Sequence, residues 1–137
     1  MIEILVAMGV LTIIAIGSIS AWKENRNKVI FKQAKEGVIL ALEKARNRAE
    51  TGFQNDINSR CHGVRLNGNT LVVSERCGTS CETDCGEITN TYLPASVTVL
   101  NLPVTFQRIT GESADKDIQV GYGGRTSTIK VKPDGAI

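Results

Sequence analysis

A chain of 137 residues should form one domain, and its mean hydropathy of -0.04 is ordinary for a globular protein. The formal net charge of +2 is too small to indicate nucleic-acid or anionic-membrane binding by charge alone. The sequence contains no internal repeat and no low-complexity tract. These averages hide an asymmetry, because Glu3 is the only charged residue before Lys23.

The first predicted element is an apolar helix over residues 1–22. The run from Ile4 to Trp22 is roughly long enough to cross a bilayer core, which needs about 20 apolar residues. Trp22 followed by Lys23 fits the aromatic and basic boundary of a membrane interface. A secretory signal has its positive charge ahead of the apolar stretch, whereas here Glu3 stands ahead of it. We therefore interpret residues 1–22 as a membrane helix and not as a signal peptide.

Glu3 is the unusual residue of this segment. A carboxylate inside hydrocarbon costs a few kcal/mol, so intramembrane acids usually have a partner. The nearest basic residue along the chain is Lys23, about 30 Å away on a helix. The partner of Glu3 must then be a terminal amine or another molecule, which makes Glu3 a candidate assembly residue.

Gly9 and Gly17 interrupt the same apolar run. Small residues allow close packing between membrane helices, which is one interpretation. The other is a weak stretch that can unwind, because each glycine costs about 1 kcal/mol relative to alanine in a helix. The two interpretations are left open.

Residues 23–52 are predicted to continue the helix in amphipathic form. Apolar residues recur there at helical spacing and form one stripe: Phe31, Ala34, Val38, Leu42, Ala45 and Ala49, flanked by Ile30, Ile39 and Ala41. Gly52 is well placed to end the helix. No proline or loop signal lies between Ile2 and Ala49, so the sequence predicts one helix of about fifty residues. A helix that long must protrude from so small a domain.

Residues 53–137 are predicted to form a β-rich head. Short runs rich in valine, isoleucine, threonine and tyrosine alternate there with turn signals. Asn67-Gly68-Asn69 is a strong hairpin signal between CHGVRL and TLVVSE. The later predicted strands are ITNTYL, SVTVL, PVTFQRIT, KDIQVGY and TSTIKVK. The expected fold is α+β, with an antiparallel sheet wrapped around the amphipathic half of the helix and the apolar half protruding.

The chain start resembles the mature start of type IV pilins and pseudopilins. Ile2-Glu3-Ile4-Leu5-Val6-Ala7-Met8 is similar to the family's Ile-Glu-Leu motif, which follows a phenylalanine, a threonine and an apolar residue. The helix end, ALEKARNRAETG, resembles that of minor pseudopilins of type II secretion and related minor pilins. The strand Val104-Thr105-Phe106 and the late glycine Gly135 are similar to features of the family's C-terminal half. The family's leader, cleavage-site glycine and first two mature residues do not precede Met1, so either the N-terminus is trimmed or incompletely recorded, or processing differs.

The resemblance implies a pilin-like structural subunit of a type IV pilus or a type II secretion pseudopilus, and not an enzyme. In the family, the acid matched by Glu3 meets the N-terminal amine of a neighbouring subunit, which a prepilin peptidase has exposed. The partners would be copies of the chain in a helical filament and the pilus assembly machinery. The subunit would lie in the inner membrane before assembly and in an extracellular or periplasmic filament afterwards. Filament helices of the family often unwind in the stretch that matches Gly9 to Gly17, commonly beside a proline that is missing here.

Two alternatives to a main filament subunit stay open. One is a minor subunit that primes or tips the filament, which the resemblance at the helix end favours. The other is a membrane-anchored binding module whose cysteine-rich head holds zinc.

The four cysteines raise the question of metal against disulfides. They all lie in the head and are Cys61, Cys77, Cys81 and Cys85. Their spacing would permit a zinc site, with His62 as a further ligand. An exported head lies in an oxidising place, however, and an even cysteine count there usually indicates disulfides. We therefore predict two disulfides and no metal.

The disulfide pairing depends on the hairpin register. Folding the hairpin about Gly68 places Cys61 opposite Glu75 and close to Cys77. This register favours a Cys61–Cys77 bridge, which leaves Cys81 to pair with Cys85. Four cysteines allow three connectivities.

No catalytic residues and no cofactor are predicted. Cys61 and His62 are adjacent, but a structural histidine whose hydrogen bonds are satisfied is a better interpretation than a catalytic Cys-His pair. The sequence contains no nucleophile elbow, phosphate-binding glycine loop or zinc-protease motif. Lys44, Arg46 and Arg48 could contact DNA, as some minor pilins do, although a solvated helix face fits them better.

Overall fold

One helix and seven strands form the described part of the chain. The computed structural model describes residues 2–52, 59–77 and 81–137, without the side chains at positions 2, 5, 15–18, 20, 59 and 60. Met1 and residues 53–58, where the predicted apolar segment and head begin, lie outside the described residues, as do residues 78–80. The elements are α1 (Ile2–Glu50), β1 (Ser59–Asn67), β2 (Thr70–Cys77), β3 (Thr83–Tyr92), β4 (Thr98–Leu100), β5 (Val104–Gln107), β6 (Lys116–Tyr122) and β7 (Arg125–Val131).

Helix α1 runs without a break for 49 residues, which corresponds to a length of about 73 Å. It ends where the sequence predicts. Gly52 adopts a left-handed φ of 65°, and its N–H donates to the carbonyl of Ala49 at 3.1 Å. This conformation, which glycine adopts at little cost, turns the chain out of the helix.

The strands form two antiparallel sheets. The first has the order β3-β2-β1-β5 and the second the order β4-β6-β7. Each predicted strand overlaps one of these strands, so the α+β prediction of a long helix packed on antiparallel strands is confirmed. The sequence predicts a single sheet, which is wrong. Strand β5 returns to pair with β1 and closes the first sheet, and β6 and β7 then pair with β4.

The core lies between the apolar stripe of α1 and the inner faces of both sheets. Ala34, Val38, Leu42, Ala45 and Ala49 are at most 1% exposed. Four alanines on the buried face of the helix, counting Ala41, let the strands approach the helix axis closely. The side chains of the head in the same cluster are Val64, Leu71, Val73, Leu93, Val97, Val99, Val104, Phe106, Ile118, Val120, Ile129 and Val131. The stripe prediction is confirmed, except that Phe31 is only half-buried.

The C-terminal end of α1 is covered by the segment after β5 and by the chain end. Ile109 donates its N–H to the carbonyl of Ala49 at 2.7 Å, which satisfies one of the last helical carbonyls. Gly135 is buried beside Gly111 and Arg46, with a left-handed φ of 76°. A Cβ at position 135 would collide with the carbonyl oxygen of Gly111, so this position requires glycine.

Candidate functional site

The first half of α1 is an exposed apolar surface. Between Glu3 and Trp22, every side chain that the structure describes is exposed. The large apolar side chains in this range are 52–73% exposed and are Ile4, Val6, Met8, Val10, Leu11, Ile13, Ile14, Ile19 and Trp22. We call residues 3–22 the apolar half of the helix. The described large apolar side chains cover most of the helix circumference, because their positions do not follow a single helical stripe.

Leaving this surface in water is costly. Burying one valine, leucine, isoleucine or methionine side chain contributes about 1.5–3 kcal/mol. For the nine side chains, already partly covered by their own helix, the sum is on the order of 10 kcal/mol. That is comparable with the whole stability of a small domain. Exposed apolar surface on this scale indicates a binding or membrane-contacting function.

The one described polar hydroxyl inside the apolar half is satisfied by its own helix. Thr12 Oγ1 donates to the carbonyl oxygen of Met8 at 2.6 Å and lies 3.0 Å from that of Gly9. Thr12 can therefore enter an apolar environment without leaving its hydroxyl unpaired.

Glu3 lies in the first turn of α1 and is exposed. A carboxylate there is favoured by the partial positive charge of the helix N-terminus. Its side chain is free to meet another molecule, as its predicted assembly role requires. That role stays a prediction.

Helix α1 passes through Gly9 and Gly17 without interruption. A Cβ built at Gly9 meets nothing within 4 Å, so no contact among the described residues requires glycine there. The surroundings of Gly17 lie outside the described side chains. The unwinding prediction concerns the assembled state and stays a prediction.

The head first contacts the helix at Glu24, two residues beyond Trp22. Arg125, at the turn between β6 and β7, approaches Glu24 with its Nη2 3.3 Å from Oε1. Gly123, in the turn between β6 and β7, lies close to the Asn27 side chain, since a Cβ built at position 123 would be 3.4 Å from Asn27 Nδ2. Upstream, the Arg26 guanidinium carbon stands 5.7 Å from the centre of the Trp22 ring, within cation–π distance. The change from exposed apolar helix to packed helix thus begins at Glu24 and is complete at Ala34, the first buried residue among those described on the helix.

All four cysteines form disulfides, as predicted, but the predicted pairing is wrong. The bridges are Cys61–Cys81 and Cys77–Cys85, with Cα–Cα distances of 5.9 Å in each. Zinc binding would require free thiolates, and all four cysteine sulfurs are in disulfides. For the same reason Cys61 cannot act as a nucleophile beside His62. Among the described residues, no group of three or more histidine, cysteine or acidic side chains could hold a metal ion.

A one-residue difference in hairpin register explains the wrong pairing. The turn is Gly68-Asn69, so Asn67 pairs with Thr70 and Cys61 lies opposite Arg76 instead of Glu75. Cys77 follows Arg76 and points to the other face of the sheet. Cys61 therefore pairs with Cys81 beyond the strand end, and Cys77 pairs with Cys85 on β3.

We expect each disulfide to stabilise the head separately. Loop-closure entropy predicts about 3 kcal/mol for Cys61–Cys81, with a sequence separation of 20, and about 2.5 kcal/mol for Cys77–Cys85, with a separation of 8. Thermal unfolding of the paired alanine variants Cys61→Ala/Cys81→Ala and Cys77→Ala/Cys85→Ala measures both losses. Peptide mapping without reductant should recover these two pairs, and a Cys61–Cys77 peptide would contradict the register.

A charged cluster covers the outer face of the first sheet. Asp84 Oδ1 accepts from Ser74 Oγ at 2.8 Å and from Arg76 Nε at 3.1 Å. Its Oδ2 lies 2.6 Å from Arg65 Nε, and Arg65 Nη2 reaches Glu87 at 2.8 Å. Burial raises the pKa of Asp84, but the hydrogen bonds from Ser74 and Arg76 and the two arginine charges outweigh it and lower the pKa below 3.8.

The lowered pKa makes the head sensitive to acid. The carboxylate of Asp84 stabilises the folded state above its ordinary pKa of 3.8, and this contribution is lost as the pH falls further. Asp84→Asn should cost about 1–2 kcal/mol at neutral pH and flatten the loss of stability below about pH 4. Urea unfolding across this range, with the more exposed Glu87→Gln as control, measures it. If the free energy of unfolding of Asp84→Asn fell with pH as steeply as that of the original chain, Asp84 would not be the cause of the acid sensitivity.

A buried histidine and a buried glutamate face each other inside the head, and the sequence interpretation missed the pair. His62 and Glu75 lie directly opposite on β1 and β2, and both are 0% exposed. Their positions share the inner face of the sheet with Val64 and Val73. The correct hairpin register would have placed them together, because a turn at Gly68-Asn69 pairs position 62 with position 75.

A groove of about 620 Å³ runs between α1 and β3. Its walls include the exposed Leu40 and the buried Val73. The Lys44 side chain spans the groove, and its Nζ donates a hydrogen bond to Thr89 Oγ1 at 2.6 Å. Arg46 pairs with Glu50 at 2.6 Å. Lys44 and Arg46, considered above for DNA contact, thus have partners within the chain.

Among the residues that the structure describes, no helix is long and apolar enough to cross a membrane. Comparisons with protein-family models, with curated proteins and with solved structures find no match to the chain.

Proposed function

We propose that this chain is a structural subunit of a type IV pilus or pilus-like filament, assembled through the apolar half of its helix. One observation carries the proposal. A single unbroken helix is exposed at every described side chain of its apolar half and buried along a stripe from Ala34 to Ala49. The strands of the head already cover the buried stripe. The apolar half of the helix is exposed and can contact other molecules.

The proposed assembly follows from these two surfaces. Side-by-side helices would cover one another's apolar halves, and the heads would face outwards. Before assembly, lipid chains would cover the same side chains, since the run from Ile4 to Trp22 measures about 27 Å on a helix and a bilayer core about 30 Å. Glu3 would pair with an amine of a neighbouring subunit, because an unpaired charge in an apolar filament core is far more costly than a paired one.

The two disulfides fit an exported head. Bridges persist in oxidising compartments, and a domain with a small core gains from such cross-links. The competing binding module with thiolate-bound zinc is disfavoured, because its four ligands are oxidised.

Composition of isolated filaments tests the proposal. Appendages and secretion filaments are sheared from cells that produce the chain, and their subunits are identified by mass spectrometry. We expect the chain in the filament fraction, in many copies for a main subunit and in few for a priming or tip subunit. Recovery of the chain only as a membrane-bound monomer, while filaments form without it, would contradict the proposal.

A further inference from the structure

A group of cations surrounds the helix where its apolar half ends. Lys23, Arg26 and Lys28 lie on α1 directly after Trp22, and Arg125 reaches the same level from the turn between β6 and β7. The three helix cations are exposed, and the Arg125 side chain is 42% exposed. We call these four residues the basic collar.

The collar covers about 200° of the helix circumference, which is more than one face. At about 100° per residue, Lys23, Arg26 and Lys28 project at about 0°, 300° and 140° around the axis. Along the axis they span about 7.5 Å. The headgroup region on each side of a bilayer is about 5–7 Å thick. The height and angular spread of the collar thus match a layer of headgroups around an embedded helix.

One carboxylate lies within the collar, and two of the collar cations hold it. Glu24 Oε1 lies 3.0 Å from Lys28 Nζ and 3.3 Å from Arg125 Nη2. The hydrogen bond and charge of Lys28 lower the pKa of Glu24, with a smaller contribution from the charge of Arg125. Glu24 therefore stays ionised and offsets one of the four positive charges. Lys23 and Arg26 keep their charges for an outside partner, and Arg26 also lies near the Trp22 ring.

We propose that the basic collar binds the phosphate groups of anionic phospholipids while the apolar half of the helix lies in a bilayer. The inference rests on the membrane stage of the proposed function and adds its lipid preference. The small net charge of the whole chain conceals this local concentration. Nucleic acid is the poorer partner, because a rigid duplex meets one face of a helix and would have to lie against the exposed apolar surface beside the collar.

Vesicle flotation with the full chain tests the lipid preference. The chain is reconstituted from detergent with vesicles of phosphatidylcholine alone or of phosphatidylcholine mixed with phosphatidylglycerol. We expect partitioning into both and a clear preference for the anionic vesicles, which disappears at about 1 M salt because screening removes it. A cation near an anionic surface contributes about fivefold in affinity. Lys23→Gln/Arg26→Gln removes two such cations and should lower the preference by about 25-fold.

A matched variant separates the collar from total charge. Lys130→Gln/Lys132→Gln removes the same charge from exposed positions at the far end of β7 and just beyond it, and should keep the preference. Unchanged preference in Lys23→Gln/Arg26→Gln, equal loss in both variants, or equal collar-dependent binding of duplex DNA would overturn the lipid assignment. Failure of the full chain to enter even neutral vesicles would instead contradict the membrane stage of the proposed function.

Discussion

Glu3→Ala is expected to leave the head folded and to reduce incorporation into filaments by about 100-fold or more. Glu3 lies on the exposed apolar half, more than 20 residues before the first contact of the helix with the head at Glu24. The head can therefore fold without it. In the assembled state the substitution would leave a neighbour's amine unpaired in an apolar core, and breaking such a pair costs about 3–5 kcal/mol.

The measurement compares filament yield with head folding in the same cells. Yield is read by mass spectrometry of sheared filaments, and folding by resistance of the head to protease. Glu43→Ala is the matched control, because Glu43 is an exposed acid on the same helix in its packed half. Normal yield from Glu3→Ala would exclude the registry function of Glu3, and equal loss from Glu43→Ala would indicate a general charge effect.

Removing residues 1–22 is expected to change the chain from detergent-dependent to a soluble monomer. The deletion removes nine exposed large apolar side chains and keeps the buried core, whose first member is Ala34. It also keeps the contacts of Glu24 and Asn27 with the turn between β6 and β7. The deletion therefore removes a free-energy cost on the order of 10 kcal/mol for exposing apolar side chains to water, and it keeps the core contacts.

Analytical ultracentrifugation without detergent measures this change. A fragment that begins at Gly9 is the control, because it keeps Val10, Leu11, Ile13, Ile14 and Ile19 exposed and should still need detergent. Circular dichroism and intact disulfides report on the head in both fragments. A fragment from Lys23 that aggregates or forms fibres would show that the head carries its own assembly surface.

The helix and the strand positions could be predicted because their signals are local. The stripe that includes Val38, Leu42 and Ala45 has a helical period, Gly52 supplies the left-handed end, and the strands alternate with turn residues. The exposed apolar half was also visible in the sequence, because it contains almost no charge. Each of these features depends on residues within a few positions of one another.

The features that the sequence interpretation missed depend on register and on contacts between distant elements. A turn shifted by one residue changed the partner of Cys61 and brought His62 opposite Glu75. The return of β5 to β1 divided the strands into two sheets. Arg125 joined the collar through a contact with Glu24, a hundred positions away along the chain, which no local pattern indicates.

Cryo-electron microscopy of filaments that contain this chain tests the central claim most directly. Residues 4–22 of neighbouring subunits should pack together along the filament axis, with Glu3 beside a neighbour's amine. The β strands should form the outer layer. A map in which the filament is held by strand or head contacts, with residues 4–22 facing solvent, would rule out assembly through the apolar half of the helix.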